Sequence, residues 1–151
     1  DADDEIEALA GKAIQRIFAE DGEAHFRRLE RETIHRLLTS RDRLVLAAGG
    51  AAILDEQTRR DMPQAGPVVW LTAPVETIFE RIAGDATTAS RRPNLTPQGG
   101  RAEIEQMLAH REPLYRQTAG LIVDTNGRTI EQIVEEILAG LPPHLTQGAA
   151  G

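Results

Sequence analysis

The sequence predicts a three-layer α/β/α domain with a mostly parallel sheet. Two patterns carry that prediction. Short continuous apolar runs at residues 44–48, 67–71 and 121–124 read as strands buried on both faces, and segments with apolar residues every three or four positions alternate with them as helices. The chain's makeup agrees, because 151 residues that are 40% hydrophobic but only 3% aromatic suit a single domain, 1–151, with an aliphatic core.

Taken in order, residues 3–9 form a short acidic-headed helix ending at Gly11, and residues 13–19 form a second. Asp21-Gly22 breaks the chain and starts a longer helix, in which Phe26, Leu29, Thr33 and Leu37 make one buried stripe with Arg27, Arg28, Arg31 and Arg36 at its flanks. The strand at 44–48 runs into Gly49-Gly50, where backbone can approach a ligand. Residues 55–62 are helical and Pro63 closes that helix. A strand at 67–71 tolerates proline at its start, and a helix from Pro74 to Ala83 follows. Residues 84–100 are rich in Gly, Pro, Ser and Thr and longer than an ordinary connection, as a lid loop would be. Helix resumes over 101–118, a strand covers 121–124, and the last helix, 129–141, carries a stripe of Ile130, Ile133, Val134, Ile137, Leu138 and Leu141 before Pro142-Pro143 stops it. The tail, 142–151, is expected to be flexible. Sheets of this kind bind ligands at the carboxyl ends of their strands.

Composition excludes several function classes. A formal charge of −7 opposes a phosphate-neutralising nucleic-acid surface, and no apolar run reaches the roughly 20 residues of a membrane span. Without cysteine there is no disulfide scaffold, and a cytoplasmic location is the default. Four histidines without ligand spacing make no zinc site, and neither serine sits in a nucleophile elbow. Gly11-Lys12 fails as a phosphate loop, because Ile6 stands where the first glycine belongs and Ala13 where Ser or Thr must follow the lysine. The chain opens on Asp1, not Met, as a processed or excised segment would.

Candidate chemistry rests on acids and arginines. By spacing alone Asp1 and Asp3 read first as the acidic head of a helix, favouring its dipole; if the segment is extended they face one side, one to hold a hydrated Mg²⁺ and the other to accept a hydroxyl proton. Of the 17 basic residues 16 are arginine, a bias that a high-GC genome also produces. Arg27 and Arg111 each have a glutamate neighbour for surface pairing, or together they clamp a small carboxylate, which the planar guanidinium suits. Arg91-Arg92 in the loop would carry positive charge over a transferring phosphate, or stay solvated.

Together the blocks DADDEIE at the start, IFAEDGEAHFRRLE from Ile17, LAAGGA from Leu46, RRPNL from Arg91, REPLY from Arg111 and VDTNGR from Val123 resemble the shikimate kinase family. The resemblance implies a phosphate-loop NTPase-like fold and ATP- and Mg²⁺-dependent phosphorylation of the shikimate 3-hydroxyl. By it, Asp1 orders Mg²⁺ through water, Asp3 binds the shikimate hydroxyls and serves as base, Arg27 and Arg111 grip the carboxylate, and Gly49 and Gly50 turn N–H groups to the substrate. Arg92 reaches the transferred phosphate, and Arg81 and Arg128 lie near the nucleotide. A monomer is the family's habit. Two departures stand out: Ala51 replaces a third glycine, and the family's first strand, phosphate loop and first helix precede the aspartates. The expectation is therefore an N-terminally truncated domain, inactive alone, in which strands 44–48 and 67–71 pair directly or the chain folds poorly. A kinase-like sensor of small acids and a gluconate-type kinase are the alternatives.

Overall fold

A computed structural model of the chain describes residues 1–40, 43–84 and 100–146. Its elements are α1 (Ala2–Ala10), α2 (Ile14–Glu20), α3 (Glu23–Leu38), a 3₁₀ turn (Ala52–Leu54), α4 (Glu56–Ala65), β1 (Val69–Thr72), α5 (Val75–Gly84), α6 (Arg101–Thr118), β2 (Leu121–Asp124), α7 (Ile130–Gly140) and α8 (Pro143–Thr146). The α/β class holds, as a mostly helical domain around a small parallel sheet.

β1 and β2 pair in parallel, Val69 with Leu121 through Thr72 with Asp124. Paired residues share a face, so Trp70 and Ile122 lie on one side and Leu71 and Val123 on the other. Helices cover both. On the first side, Tyr115 of α6 stacks on Trp70 with ring centroids 5.2 Å apart. On the second, α7 comes so close to Leu121 that a Cβ on Gly140 would stand 2.8 Å from a Leu121 methyl, which is why glycine ends that helix.

The apolar core is divided. Ile6, Ile14, Ile17 and Phe26 pack α1, α2 and the start of α3 together, while Ala2, Ile34, Ala52 and Met62 join α1, the far end of α3, the 3₁₀ turn and α4. The buried residues of α3 are Phe26, Glu30, Thr33 and Ile34. The expected stripe is thus rotated slightly, with Leu29 and Leu37 at its half-buried margins.

Other expectations are corrected. Pro63 does not close its helix: α4 continues to Ala65, because a proline in the last turn gives up only one N–H bond and Gly66 N still reaches the Met62 carbonyl at 3.2 Å. Residues 44–48 are not a strand and do not pair with β1. They run outside any ladder, bound to the rest by Ala2 N donating to the Ala47 carbonyl at 2.9 Å, with Leu46 against the second cluster and Val45 99% exposed. The expected direct pairing of 44–48 with 67–71 is thus absent, and Leu46 together with the Ala2–Ala47 hydrogen bond attaches the segment instead. The stripe of α7 is also half open, with Ile130 at 76% exposure and Val134 and Leu138 exposed, since a two-stranded sheet is too narrow to cover it. Thr129 caps that helix as a capping box with Gln132. Pro143–Thr146 form a further helical turn, with the His144 carbonyl accepting from Arg43 at 3.1 Å; the rest of the tail and residues 85–99 lie outside the described residues.

Burial and not apolarity therefore ranks these positions. Val45→Thr is expected to leave stability within about 0.5 kcal/mol, whereas Ile34→Ala should cost about 2–5 kcal/mol. Urea unfolding of both variants checks this, and a Val45→Thr loss comparable to that of Ile34→Ala would place residue 45 in the core.

Candidate active site

Four stretches distant in sequence meet at the Gly49-Gly50 turn. Asp1 caps α1, its Oδ1 accepting from Asp3 N at 2.8 Å. The Ala2–Ala47 hydrogen bond then seats the head of that helix beside the turn, and Asp3 in its first turn faces Gly49. The two aspartates are therefore not presented together from an extended segment. Helix formation uses Asp1 as the cap and aims Asp3 inward.

From α3 come Arg27 and Glu30. Arg27 Nη1 donates to Glu30 Oε2 at 2.8 Å, its Nε and Nη2 reach Glu23 Oε1 at 3.3 Å, and its guanidinium lies 5.1 Å from the centroid of the Phe26 ring. A Cβ on Gly49 would stand 3.5 Å from Glu30 Oε1 and 3.9 Å from Asp3 Oδ1. On Gly50 it would stand 2.9 Å from Tyr115 Oη and 3.8 Å from Arg111 Nη1 of α6. So the structure gathers Asp3, Arg27, Gly49, Gly50 and Arg111, all expected from the sequence. Ala51, in place of a third glycine, has φ −90° and ψ −11°, which any residue adopts.

Glu30 is the member that the sequence reading treated only as a surface partner. It is 6% exposed. Burial pushes its carboxyl above the usual range against the hydrogen bond and charge of Arg27, with Asp3 pushing it further up and Arg111 drawing it down. A signal was present in the sequence: position 30 lies one turn from Phe26 and from Ile34 on the same face, so a charged residue there is carried inward.

A cleft of about 560 Å³, lined in part by Arg27, Glu30, Arg31, Ala51, Asp55 and Thr58, opens beside this cluster between α3 and α4. Its size suits a small metabolite, but Asp3, Gly49 and Arg111 lie outside its lining. Among the described residues no group of three or more His, Cys, Asp or Glu side chains could hold a metal ion. No helix among them is long and apolar enough to cross a membrane.

Arg81 and Arg128 form a separate group at the carboxyl end of β2. Arg81 of α5 donates to Thr125 Oγ1 at 2.8 Å and to its carbonyl at 2.9 Å. Arg128 donates to the carbonyls of Asp124 and Gln132 at 3.1 and 3.2 Å and pairs with Glu136. Both brace the 124–128 turn. Lys12 binds Glu20 at 2.9 Å and Asp21 at 2.5 Å, in keeping with the failed phosphate-loop pattern. Arg92 lies outside the described residues.

A family model described as shikimate kinase matches residues 1–142. The chain belongs to the shikimate kinase family. Its relatives include a shikimate kinase of Rhodopirellula baltica, 42% identical over 97% of this chain and 78% of its own length, and one of Francisella tularensis subsp. holarctica, 44% identical over 91% and 76%. Among solved structures, a shikimate kinase from Acinetobacter baumannii in complex with shikimate superposes with a TM-score of 0.82 at 34% identity, over 91% of this chain and 74% of that one. Shikimate kinases are phosphotransferases with ATP as co-substrate, so the chain's substrates are small molecules. The sensor and gluconate-type alternatives are not favoured.

The raised Glu30 carboxyl has a consequence for stability. A carboxyl whose pKa rises on folding binds more protons in the native state, so its contribution is full below the unfolded value, about 4.5, and is lost as pH rises through the folded value. Glu30→Gln keeps the neutral shape at every pH. The stability of wild type relative to Glu30→Gln should therefore fall as pH rises above about 4.5 and level off once Glu30 is ionised. Thermal unfolding in steps from pH 4 to 8 measures this; a relative stability that climbs with pH would mean that pairing with Arg27 outweighs burial.

Proposed function

We propose that this domain serves the transfer of the γ-phosphoryl group of ATP to the 3-hydroxyl of shikimate, holding the acid's carboxylate between Arg27 and Arg111 and its hydroxyls at Asp3, while the 151-residue chain by itself, in which Gly11-Lys12 fails as a phosphate loop, is inactive. The observation that carries the proposal is the meeting of Asp3, Arg27, Glu30, Gly49, Gly50 and Arg111 around one turn. Arg27 and Arg111 supply planar guanidinium donors suited to a carboxylate, while burial raises the Glu30 carboxyl against its pairing with Arg27.

Asp3 accepts a hydrogen bond from the 3-hydroxyl and takes its proton as that oxygen bonds to the γ-phosphorus and ADP departs. Gly49 and Gly50 let the backbone approach the ring without a side chain between. Arg92 is the cation assigned to the transferring phosphoryl, and Arg81 and Arg128 are assigned to the nucleotide, with a 124–128 turn already braced for it.

Asp1 suits a hydrated Mg²⁺ better than direct coordination, because its Oδ1 is engaged as the helix cap and no acidic cage surrounds it among the described residues. A single carboxylate acting through water is a common way to hold that ion, whose role there is to neutralise charge on the phosphates. Arg27, Glu30 and Arg111 act on the acid alone. A monomeric state and a cytoplasmic location complete the reading.

Calorimetric titration of the 151-residue chain with shikimate, with and without Mg²⁺ and ATP, tests it. Shikimate is expected to bind without nucleotide, and Arg111→Gln to weaken it about 10–100-fold, the range of a charge-assisted hydrogen bond. Wild-type affinity in Arg111→Gln would remove Arg111 from the clamp, and absence of any shikimate binding would overturn the reading.

A further inference from the structure

The single tyrosine of the chain lies at the seam between the two halves of the acid clamp. Its hydroxyl donates to the Gly50 carbonyl at 2.6 Å, and it follows Arg111 by one turn on the same face of α6. We propose that Tyr115 is a positioning residue of the shikimate site, locking the Gly49-Gly50 turn onto α6 so that the turn and the Arg111 guanidinium are held as one preformed unit. The proposal rests on the carboxylate clamp described above and adds what keeps it in shape.

Three observations support it. Two successive glycines have the greatest backbone freedom of any pair, so the conformation of this turn must be imposed from outside. Gly50 is exposed, and the tyrosine hydroxyl is the only side-chain donor to its carbonyl among the described residues. The tyrosine is itself fixed. Its ring stacks on Trp70 at an interplanar angle of 19°, the Arg116 guanidinium lies 5.4 Å from the Trp70 ring, and Glu112 holds Arg116 at 2.7 Å. The contacts therefore run from Arg116 of α6 to Trp70 of the sheet, back to Tyr115 of α6 and on to Gly50. At their end a Cβ on Gly50 would touch Tyr115 Oη at 2.9 Å and lie 3.8 Å from Arg111 Nη1, so the turn is within contact range of both side chains. Tyr115 takes no part in the chemistry. It sets the distance between the turn and the arginine, which ligand binding would otherwise have to fix at the expense of affinity.

Tyr115→Phe removes the hydroxyl and keeps the stacked ring. Shikimate affinity is read by calorimetry and by emission of Trp70, the single tryptophan, in wild type, Tyr115→Phe, Arg111→Gln and the double variant. Tyr115→Phe is expected to weaken shikimate about 3–10-fold, the range of one neutral hydrogen bond, and to have no further effect once Arg111 is gone. It should weaken shikimate methyl ester, which lacks the carboxylate charge, less than it weakens shikimate. A merely structural tyrosine would lower the melting temperature while leaving shikimate affinity alone, or would weaken acid and ester equally, and either result overturns the proposal. If Tyr115→Phe fails to fold, Gly50→Ala presses on the same hydroxyl from the turn side, and the same selectivity for acid over ester is required of it. Wild type that binds no shikimate would overturn the clamp and this proposal together, whereas wild-type binding with an unaltered Tyr115→Phe overturns this proposal alone.

Discussion

Helix α3 is clamped by apolar packing at both ends, through Phe26 in one cluster and Ile34 in the other, and the Glu30 carboxylate lies between them on the same buried face. A carboxylate there costs free energy unless it is paired, and Arg27, one turn earlier on the same helix, supplies the pair. Because the helix is held at both ends, the Glu30 carboxylate cannot reach water without disturbing packing. The scaffold and the acid site are thus one object. The packing that holds the domain together also places the Glu30–Arg27 pair.

Local signals carried most of the helices. Asp1, Asp55 and Thr129 are side chains that satisfy free N–H groups at helix starts, and they do so wherever an amphipathic stretch follows. The strands were less legible. Residues 44–48 and 121–124 look alike as apolar runs, yet only the second is in a ladder. A strand exists by virtue of its neighbour, and no pattern within five residues can say whether the neighbour is there. For the same reason the α7 stripe forms a good helix and is only half covered.

The site divides in a similar way. Asp3, Arg27, Gly49, Gly50 and Arg111 were legible because each stands in a block resembling the family. Glu30 and Tyr115 stand in those same blocks but were not singled out, since their importance is a matter of what they touch: a helix face that turns inward for one, a carbonyl 65 positions away for the other. The aspartates left two readings open, and the helix that starts at Ala2 selected the one in which they head a helix.

By itself the sequence determined the family, the helix boundaries to within a turn, and the residue types able to hold a small acid, because these depend on short-range periodicity, capping and local motifs. Tertiary structure alone decided that the sheet has two paired strands among the described residues, that Val45 is exposed despite its apolar setting, and that Glu30 is buried with a raised carboxyl. Burial and hydrogen bonding are properties of pairs of segments brought together in space. Their energies belong to the contact, and neither segment's sequence contains them alone.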